Sequence, residues 1–430
     1  MSDFHTLSTE ELHEYRFRLQ EQYNRFRSQK LKLDMSRGKP SPEQLDLANE
    51  MLGLIRSGDD FLAKNGVDTR NYGGLDGIPE AKELFAPMLE VHPEEIIIGG
   101  NSSLNMMHDT IARAMLHGVC DSEIPWAKLP VVKFLAPAPG YDRHFAICEL
   151  FGIEMITIDM LPDGPDMDTV ERLVSEDEAI KGIWCVPRYS NPEGITYSDE
   201  VVDRLASMKT KAGDFRIFWD DAYAVHHLTD RPASLKNILT ACKEAGNPNR
   251  VFLFGSTSKI SFSGSGVAMM ASSQGNLDWT RKLLSAETIG PDKINQLRHV
   301  RFFKSLDGIM EHMARHAAIL RPKFERVLEI LDSELGGKSI ASWSRPQGGY
   351  FISLNTLDGC AKAVVEMAAG AGVVLTKAGA TYPYGIDPRD RNIRLAPSYP
   401  SMEELTTAIQ VLCLCVQLVS INKLLKDGSK

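Results

Sequence analysis

From about residue 80 onward the chain alternates short apolar runs with longer amphipathic stretches. The runs are EEIIIGG, VVKFLAP, EMITIDM, IKGIWCVP, FRIFWDD, RVFLFGS and GVAMMASS. None is long enough for an ordinary helix, and each centres on apolar residues. Each therefore reads as a strand buried on both faces. Strands alternating with helices, such as the stretch Ser198–Ala212 between two of the runs, predict an α/β domain on a largely parallel sheet. In such sheets ligands bind outside the carboxyl ends of the strands. The residues just after each run are therefore where chemistry is expected.

At 430 residues the chain is too long for one small core. Thr9 or Ser8 followed by Glu10-Glu11-Leu12 predicts a helix start, with the helix running to about Ser28. DMSRGKPSPEQL is a loop broken by glycine and proline, and residues 43–56 read as helical again. A long helical stretch from about Val300 to Leu335 follows the last run, with Pro322 as its expected break. GGYFISL, VVLTKAGATYP and NIRLAPSYP then read as strands, before a helix from Ser401 to about Leu425. The expected division is an N-terminal helix and arm over 1–60, docking on a small domain. A large domain follows over 61–320, and the small α+β domain takes 321–430.

Charge and cysteine usage exclude several functions. The formal net charge is −9 and no basic run reaches five residues, which speaks against a nucleic-acid surface. The N-terminal stretch is charged throughout, so neither a signal peptide nor a membrane span is expected there. The seven cysteines are odd in number and lie mostly in apolar runs, as buried thiols do in a reducing compartment. Cys413-Leu-Cys415 has no second Cys/His pair to complete a zinc site, so no metal is expected. A cytoplasmic protein without membrane or nucleic-acid partners is the resulting expectation.

The stretch STSKISFSG follows the run VFLFG and carries one lysine, Lys259, among hydroxyls and glycines. A lysine amine is a nucleophile only when burial or a nearby cation lowers its pKa, and a Schiff base with an aldehyde is then its natural use. A surface lysine is the plainer alternative. Ser256 and Ser258 flank Lys259 as donors for an anion, and Gly264 and Gly266 permit close backbone approach. Asp220 ends the run FRIFWD, with Tyr223 three residues on. A carboxylate there would keep a cofactor's ring nitrogen protonated; a helix cap would use the same residue. Asn191, before Pro192, is either a donor to a phenolate oxygen or a turn residue. Ser102 and Ser103, opening a helix after GGN, suit a phosphate cradle or an ordinary cap. Tyr141 after VVKFLAPAPG is placed either to stack on a planar cofactor or to fill the core.

Taken together and in order, SxSK, DxAY, NPxG, YGGLDGIPEAKELF and RLAPS resemble the class I/II aminotransferases. These are pyridoxal 5′-phosphate enzymes of fold type I, with a large, mostly parallel α/β domain and a smaller α+β domain. The resemblance runs from about Asp34 to about Leu414. It is strongest to a bacterial aspartate aminotransferase subgroup, through SRGKP, NYGGLDG and STSK. It implies that Lys259 carries the cofactor as an internal aldimine and later moves the proton. Asp220 would partner the pyridine nitrogen, Asn191 and Tyr223 the phenolic oxygen, and Tyr141 would stack on the ring. Ser102, Ser103, Ser256 and Ser258 would lie in the phosphate-binding stretches. Tyr72 would reach the phosphate of a neighbouring subunit's cofactor, making the active unit a homodimer with a shared site. Arg394 would clamp the substrate α-carboxylate, and Gly38 would sit in the covering loop.

The implied reaction moves an amino group from an L-amino acid, aspartate first among them, to 2-oxoglutarate. An aromatic or kynurenine-type aminotransferase and a pyridoxal-phosphate β-lyase are the alternatives. Two positions depart from the family pattern. Gly266 stands where an arginine usually binds the phosphate, leaving Arg298, Arg301 and Lys304 as possible substitutes. Glu193 stands where threonine is usual in NPxG. Arg37, Lys39 and Lys377 lie in loops from which a distal carboxylate could be met.

Overall fold

The computed structural model describes residues 3–428. Its strands are β1 (Leu33–Asp34), β2 (Ile96–Ile98), β3 (Lys133–Ala138), β4 (Glu154–Leu161), β5 (Gly164–Pro165), β6 (Ile180–Cys185), β7 (Arg216–Asp220), β8 (Val251–Ser256), β9 (Ala268–Ser272), β10 (Ala341–Trp343), β11 (Ile352–Thr356), β12 (Val373–Val374) and β13 (Asn392–Leu395). Eight of them form one sheet in the order β2-β9-β8-β7-β6-β3-β4-β5. From β4 through β3, β6 and β7 to β8 every pairing is parallel. β9 runs antiparallel to β8, β2 antiparallel to β9, and the short β5 folds back on β4.

The central strands are apolar on both faces because both faces are covered. In β7, Ile217 and Trp219 join Ile183 and Leu253 against Val202, Leu205, Ile238 and Leu239 of the helices Asp199–Ser207 and Ile238–Glu244. Phe218, pointing the other way, joins Phe134, Trp184 and Phe252 against helices Ser103–His117 and Asp142–Leu150. Successive residues of one strand thus pack on opposite faces of the sheet, as the period of two requires.

A second core gathers the helix Thr9–Ser28, the helix Met402–Asp427 and most of Leu306–Leu335 around a three-stranded antiparallel sheet, β10-β11-β13. β1 pairs in parallel with β12 beside it. Ser8 and Glu11 form a capping box that starts the first helix. Met402–Asp427 is long and apolar enough to cross a membrane by composition alone. Here it packs against Thr9–Ser28 and Leu306–Leu335, and an all-round apolar surface is what a central core helix requires.

Three local expectations need correction. The long helical stretch breaks not at Pro322 but at Lys304 and Ser305, between Lys293–Phe303 and Leu306–Leu335. Lys304 adopts φ 65°, and the Ser305 side chain accepts from Gly308 N to cap the new helix. Pro322 stays inside the helix because Ile309 and Met313 pack on the first core while Leu320, Phe324, Val327 and Leu331 pack on the second. Burial along both flanks outweighs the ~3 kcal/mol a helical proline costs. Residues 43–56 form two short pieces, a helix Pro42–Asp46 and a 3-10 turn Asn49–Gly53, because Gln44 is drawn inward to His316 and Tyr350. Helix Asp199–Ser207 stops before Ala212, since Lys211 N turns to bond Val174 O.

The two cores join where Gly348 bridges His227. A Cβ on Gly348 would lie 2.5 Å from His226 O and 2.3 Å from the Tyr189 ring. The obstruction is backbone, so it cannot rotate away. Gly348→Ala is expected to cost about 1–3 kcal/mol of stability, read as a lower urea midpoint at unchanged slope; an unaltered midpoint would mean that the junction yields.

Candidate active site

The carboxyl ends of β6, β7 and β8 open into a cavity of about 480 Å³. Lys259, Asp220, Tyr223, Asn191, Tyr141, Gly38 and Arg394 all line it. The sheet explains the first five: each lies at or just past a strand end. Arg394 and Gly38 arrive from the second core. Arg394 sits on β13 between Ile393 and Leu395, which point into that core, so the arginine faces the cavity. Gly38 lets the loop Ser36–Lys39 lie on the Phe351 ring, which a Cβ would meet at 2.4 Å. The Arg394 guanidinium also lies over the Phe351 ring, 4.8 Å from its centroid.

Lys259 lies on a tight turn after β8, in which Ile260 N and Ser261 N both donate to Thr257 O. Its amine is 5.1 Å from the Tyr223 ring centroid and 5.8 Å from that of Tyr350. Burial pushes the amine's pKa down; the Asp220 carboxylate opposes this and Arg394 adds to it. Asp220 is 2% exposed. Its Oδ2 lies 3.0 Å from His144 Nε2, while its Oδ1 is buried with no hydrogen-bond partner. His144 stacks on Trp184 at 4.3 Å and meets Tyr141 edge-on. Burial holds the hydroxyls of Tyr223 and Tyr141 well above the ordinary phenol range, so both remain protonated donors.

Arg394 donates through Nη1 to Asp142 Oδ1 at 3.0 Å and Asn191 Oδ1 at 3.3 Å, and through Nη2 to Thr376 Oγ1 at 3.5 Å. Around the mouth stand four exposed cations, Arg37, Lys39, Lys377 and Arg143. Lys39 rests on the Tyr399 ring. His144, Asp142, Arg143 and Thr376 are residues that sequence reasoning missed. The first three lie in the same PGYDRHF segment as Tyr141, so its helical spacing was the available signal.

The serines form a lip beside the lysine turn. Ser256 Oγ donates to Ser258 Oγ, and Ser258 Oγ to Asn101 O at 3.4 Å. Ser102 caps the helix Ser103–His117, whose first-turn N–H groups make an anion-favouring end. Gly266 packs into this lip: a Cβ would be 3.0 Å from Asn101 O and 3.1 Å from Thr257 Oγ1. A side chain there would require these neighbours to give by a few tenths of an ångström. Of the three cations considered as substitutes, Arg298 alone reaches the neighbouring loop, donating to Ser265 Oγ at 2.9 Å. Arg301 is bound to Asp59 and Leu54 O, and Lys304 is exposed at a helix end. Glu193 accepts from Ser353 Oγ, which ties the NPEG turn to β11. Tyr72 lies outside the cavity and is 77% exposed, in a loop where Gly73 N bonds Ile289 O.

Comparison with known proteins gives the family of the chain. The fold is that of the fold type I transferases. The family model described as aspartate amino-transferase matches residues 7–428, and the chain belongs to that family. It is similar to an aspartate aminotransferase of Corynebacterium glutamicum, 48% identical over 402 residues, 94% of this chain and 93% of that one. A crystal structure of an aspartate transaminase from C. glutamicum superposes with a TM-score of 0.96 at 46% identity, covering 98% of this chain and 99% of that one. The α-aminoadipate aminotransferase LysN of Thermus thermophilus shares the fold, with a TM-score of 0.73 at 22% identity over 90% of this chain and 92% of that one. The protein is an aminotransferase.

The turn bearing Lys259 rests on buried histidines. His226 Nε2 faces Lys259 O at 3.3 Å, and His312 Nε2 faces Ile260 O at 2.8 Å. His299 lies 2.8 Å from Ser261 Oγ. Burial lowers the pKa of His299 and His312 to about 4 and of His316 to about 3. Each is neutral in the fold but protonates near 6.5 when unfolded. Their contribution is therefore fully present above pH 6.5 and is lost as pH falls from 6.5 toward 4. The slope is up to about 1.4 kcal/mol per pH unit for each histidine. Urea midpoints measured between pH 7 and 4.5 should fall, and less steeply in His312→Gln.

Proposed function

We propose that the protein transfers the amino group of an L-amino acid, preferentially aspartate, to 2-oxoglutarate, using pyridoxal 5′-phosphate bound at Lys259. One observation carries the reading. A lysine amine of lowered pKa, a buried carboxylate oxygen without a partner and a buried guanidinium line the same cavity. The residues present suit the cofactor. Asp220 Oδ1 needs a donor, and a protonated ring nitrogen is one. The lip of Ser256, Ser258, Ser102 and Ser103 at a helix N-terminus suits a phosphate. LysN, in its complex with N-(5′-phosphopyridoxyl)-L-leucine, shows such a group on this fold.

When bound, pyridoxal phosphate supplies an aldehyde that accepts an amino group and a ring that withdraws electrons from the adjacent carbon. The chain's own residues do the rest. Lys259 holds the group, then takes the proton from the substrate Cα and returns it, a general-base role of about 10²–10⁴ in rate. Asp220, oriented by His144, would keep the proton on the ring nitrogen. Asn191 and Tyr223 would donate to the ring oxygen, and Tyr141 would lie against the ring. Arg394 receives the α-carboxylate, and the Gly38 loop shields the site from water. A distal carboxylate would meet the cations at the mouth. The exposure of Tyr72 fits a homodimer in which it completes the partner's site. The seven free cysteines fit a cytoplasmic location.

The purified protein with pyridoxal phosphate is expected to show a visible absorption band that shifts on adding aspartate and returns on adding 2-oxoglutarate. Lys259→Ala should fold and lose the shift. A larger response to aromatic donors than to aspartate would overturn the substrate assignment, and the absence of any response would overturn the reaction.

A further inference from the structure

We propose that Asp142 is a resident carboxylate that occupies Arg394 in the free protein and is displaced by the carboxylate of each incoming substrate. The proposal rests on the reading of Arg394 as the carboxylate clamp.

The two partners of this ion pair differ in their surroundings. The Arg394 side chain is 7% exposed and that of Asp142 is 35%. The arginine cannot turn to water, so without an anion it would be an unneutralised buried charge, which is costly. Asp142 supplies that anion through a single oxygen on Nη1. The rest of the guanidinium is poorly engaged: Nη2 has one long contact to Thr376 Oγ1, and Nε is buried with no partner. The planar fork that suits a two-oxygen acid is therefore held at one corner only.

Asp142 also has somewhere to go. It is the first residue of the helix Asp142–Leu150, where the helix dipole favours a carboxylate whether or not it touches Arg394. Its neighbour Arg143 is exposed at the cavity mouth. Leaving Arg394 thus returns Asp142 to solvent beside favourable charge. Every substrate that uses Arg394 must compete with Asp142, and its apparent affinity is reduced by the fraction of free protein in which the arginine is engaged. An amino acid and a 2-oxo acid present the same α-carboxylate, so both are penalised by one factor.

Succinate, a dicarboxylate that cannot react, is titrated calorimetrically into the pyridoxal-phosphate-loaded protein and its variants. Asp142→Asn and Asp142→Ala should each bind it on the order of tenfold more tightly than the unaltered protein. Asp142→Glu should restore the weaker binding. The KM values for the amino donor and for 2-oxoglutarate should fall together in Asp142→Asn, by the same factor. Unchanged or weaker succinate binding in both Asp142→Asn and Asp142→Ala would overturn the proposal and make Asp142 a support for Arg394. Arg394→Ala separates the two levels of the reading. Loss of succinate binding there upholds the clamp, and retained binding would sink the clamp and the proposal with it.

Discussion

A sheet covered on both faces has no room for polar chemistry inside it, and the rest of this structure follows from that constraint. Ile217, Phe218 and Trp219 of β7 are each fully committed to a core. The first polar positions available are those where the strands end. Because β6, β7 and β8 run parallel, those ends open on one side. Asn191, Asp220 with Tyr223, and Lys259 therefore converge although they lie far apart in sequence. The antiparallel β9 and β2 extend the sheet while returning the chain to the lip formed by Asn101 and Gly266.

Inside the cavity two cations, Lys259 and Arg394, face two carboxylates, Asp220 and Asp142, while Arg37, Lys39, Arg143 and Lys377 add positive charge at its mouth. Neither carboxylate is saturated by its protein partners. Asp220 spends one oxygen on His144 and leaves the other bare, and Asp142 engages one corner of Arg394. Low polarity strengthens each of these interactions and makes each unpaired group costly. A site of this kind is organised around groups that arrive from outside. Beneath it, neutral histidines donate to the carbonyls of Lys259 and Ile260. The turn is thereby held without another charge that would disturb the amine.

Much of this was legible in the residues themselves. The apolar runs located seven strands of the large sheet; six are buried on both faces, whereas Glu154–Leu161 alternates buried with exposed positions because it lies near the sheet edge, flanked by the two-residue β5. Ser8 and Ser401 marked helix starts because capping is local chemistry. Lys259, Asp220 and Arg394 were recognisable through short motifs. What was not legible depended on distant contacts. Pro322 reads as a break, yet two cores hold its helix together, and the real break at Lys304 is marked locally only by the capping Ser305 within an otherwise helical pattern. Gly266 reads as a missing arginine; only its packing against Asn101 O and Thr257 Oγ1 gives a steric reason. Arg298 and Arg301 look equivalent in sequence, and they separate only because Arg301 is drawn to Asp59.

By itself, then, the sequence determined the class of fold, the strand ends at which chemistry would occur, and the residue types placed there. Each of these depends on composition and spacing within a few residues. The tertiary structure alone decided which groups meet: Asp142 on Arg394, His144 on Asp220, Phe351 beneath the Gly38 loop. Those pairings join segments separated by up to hundreds of residues. They are set by how two cores pack against each other, a relation with no imprint on any local stretch of chain.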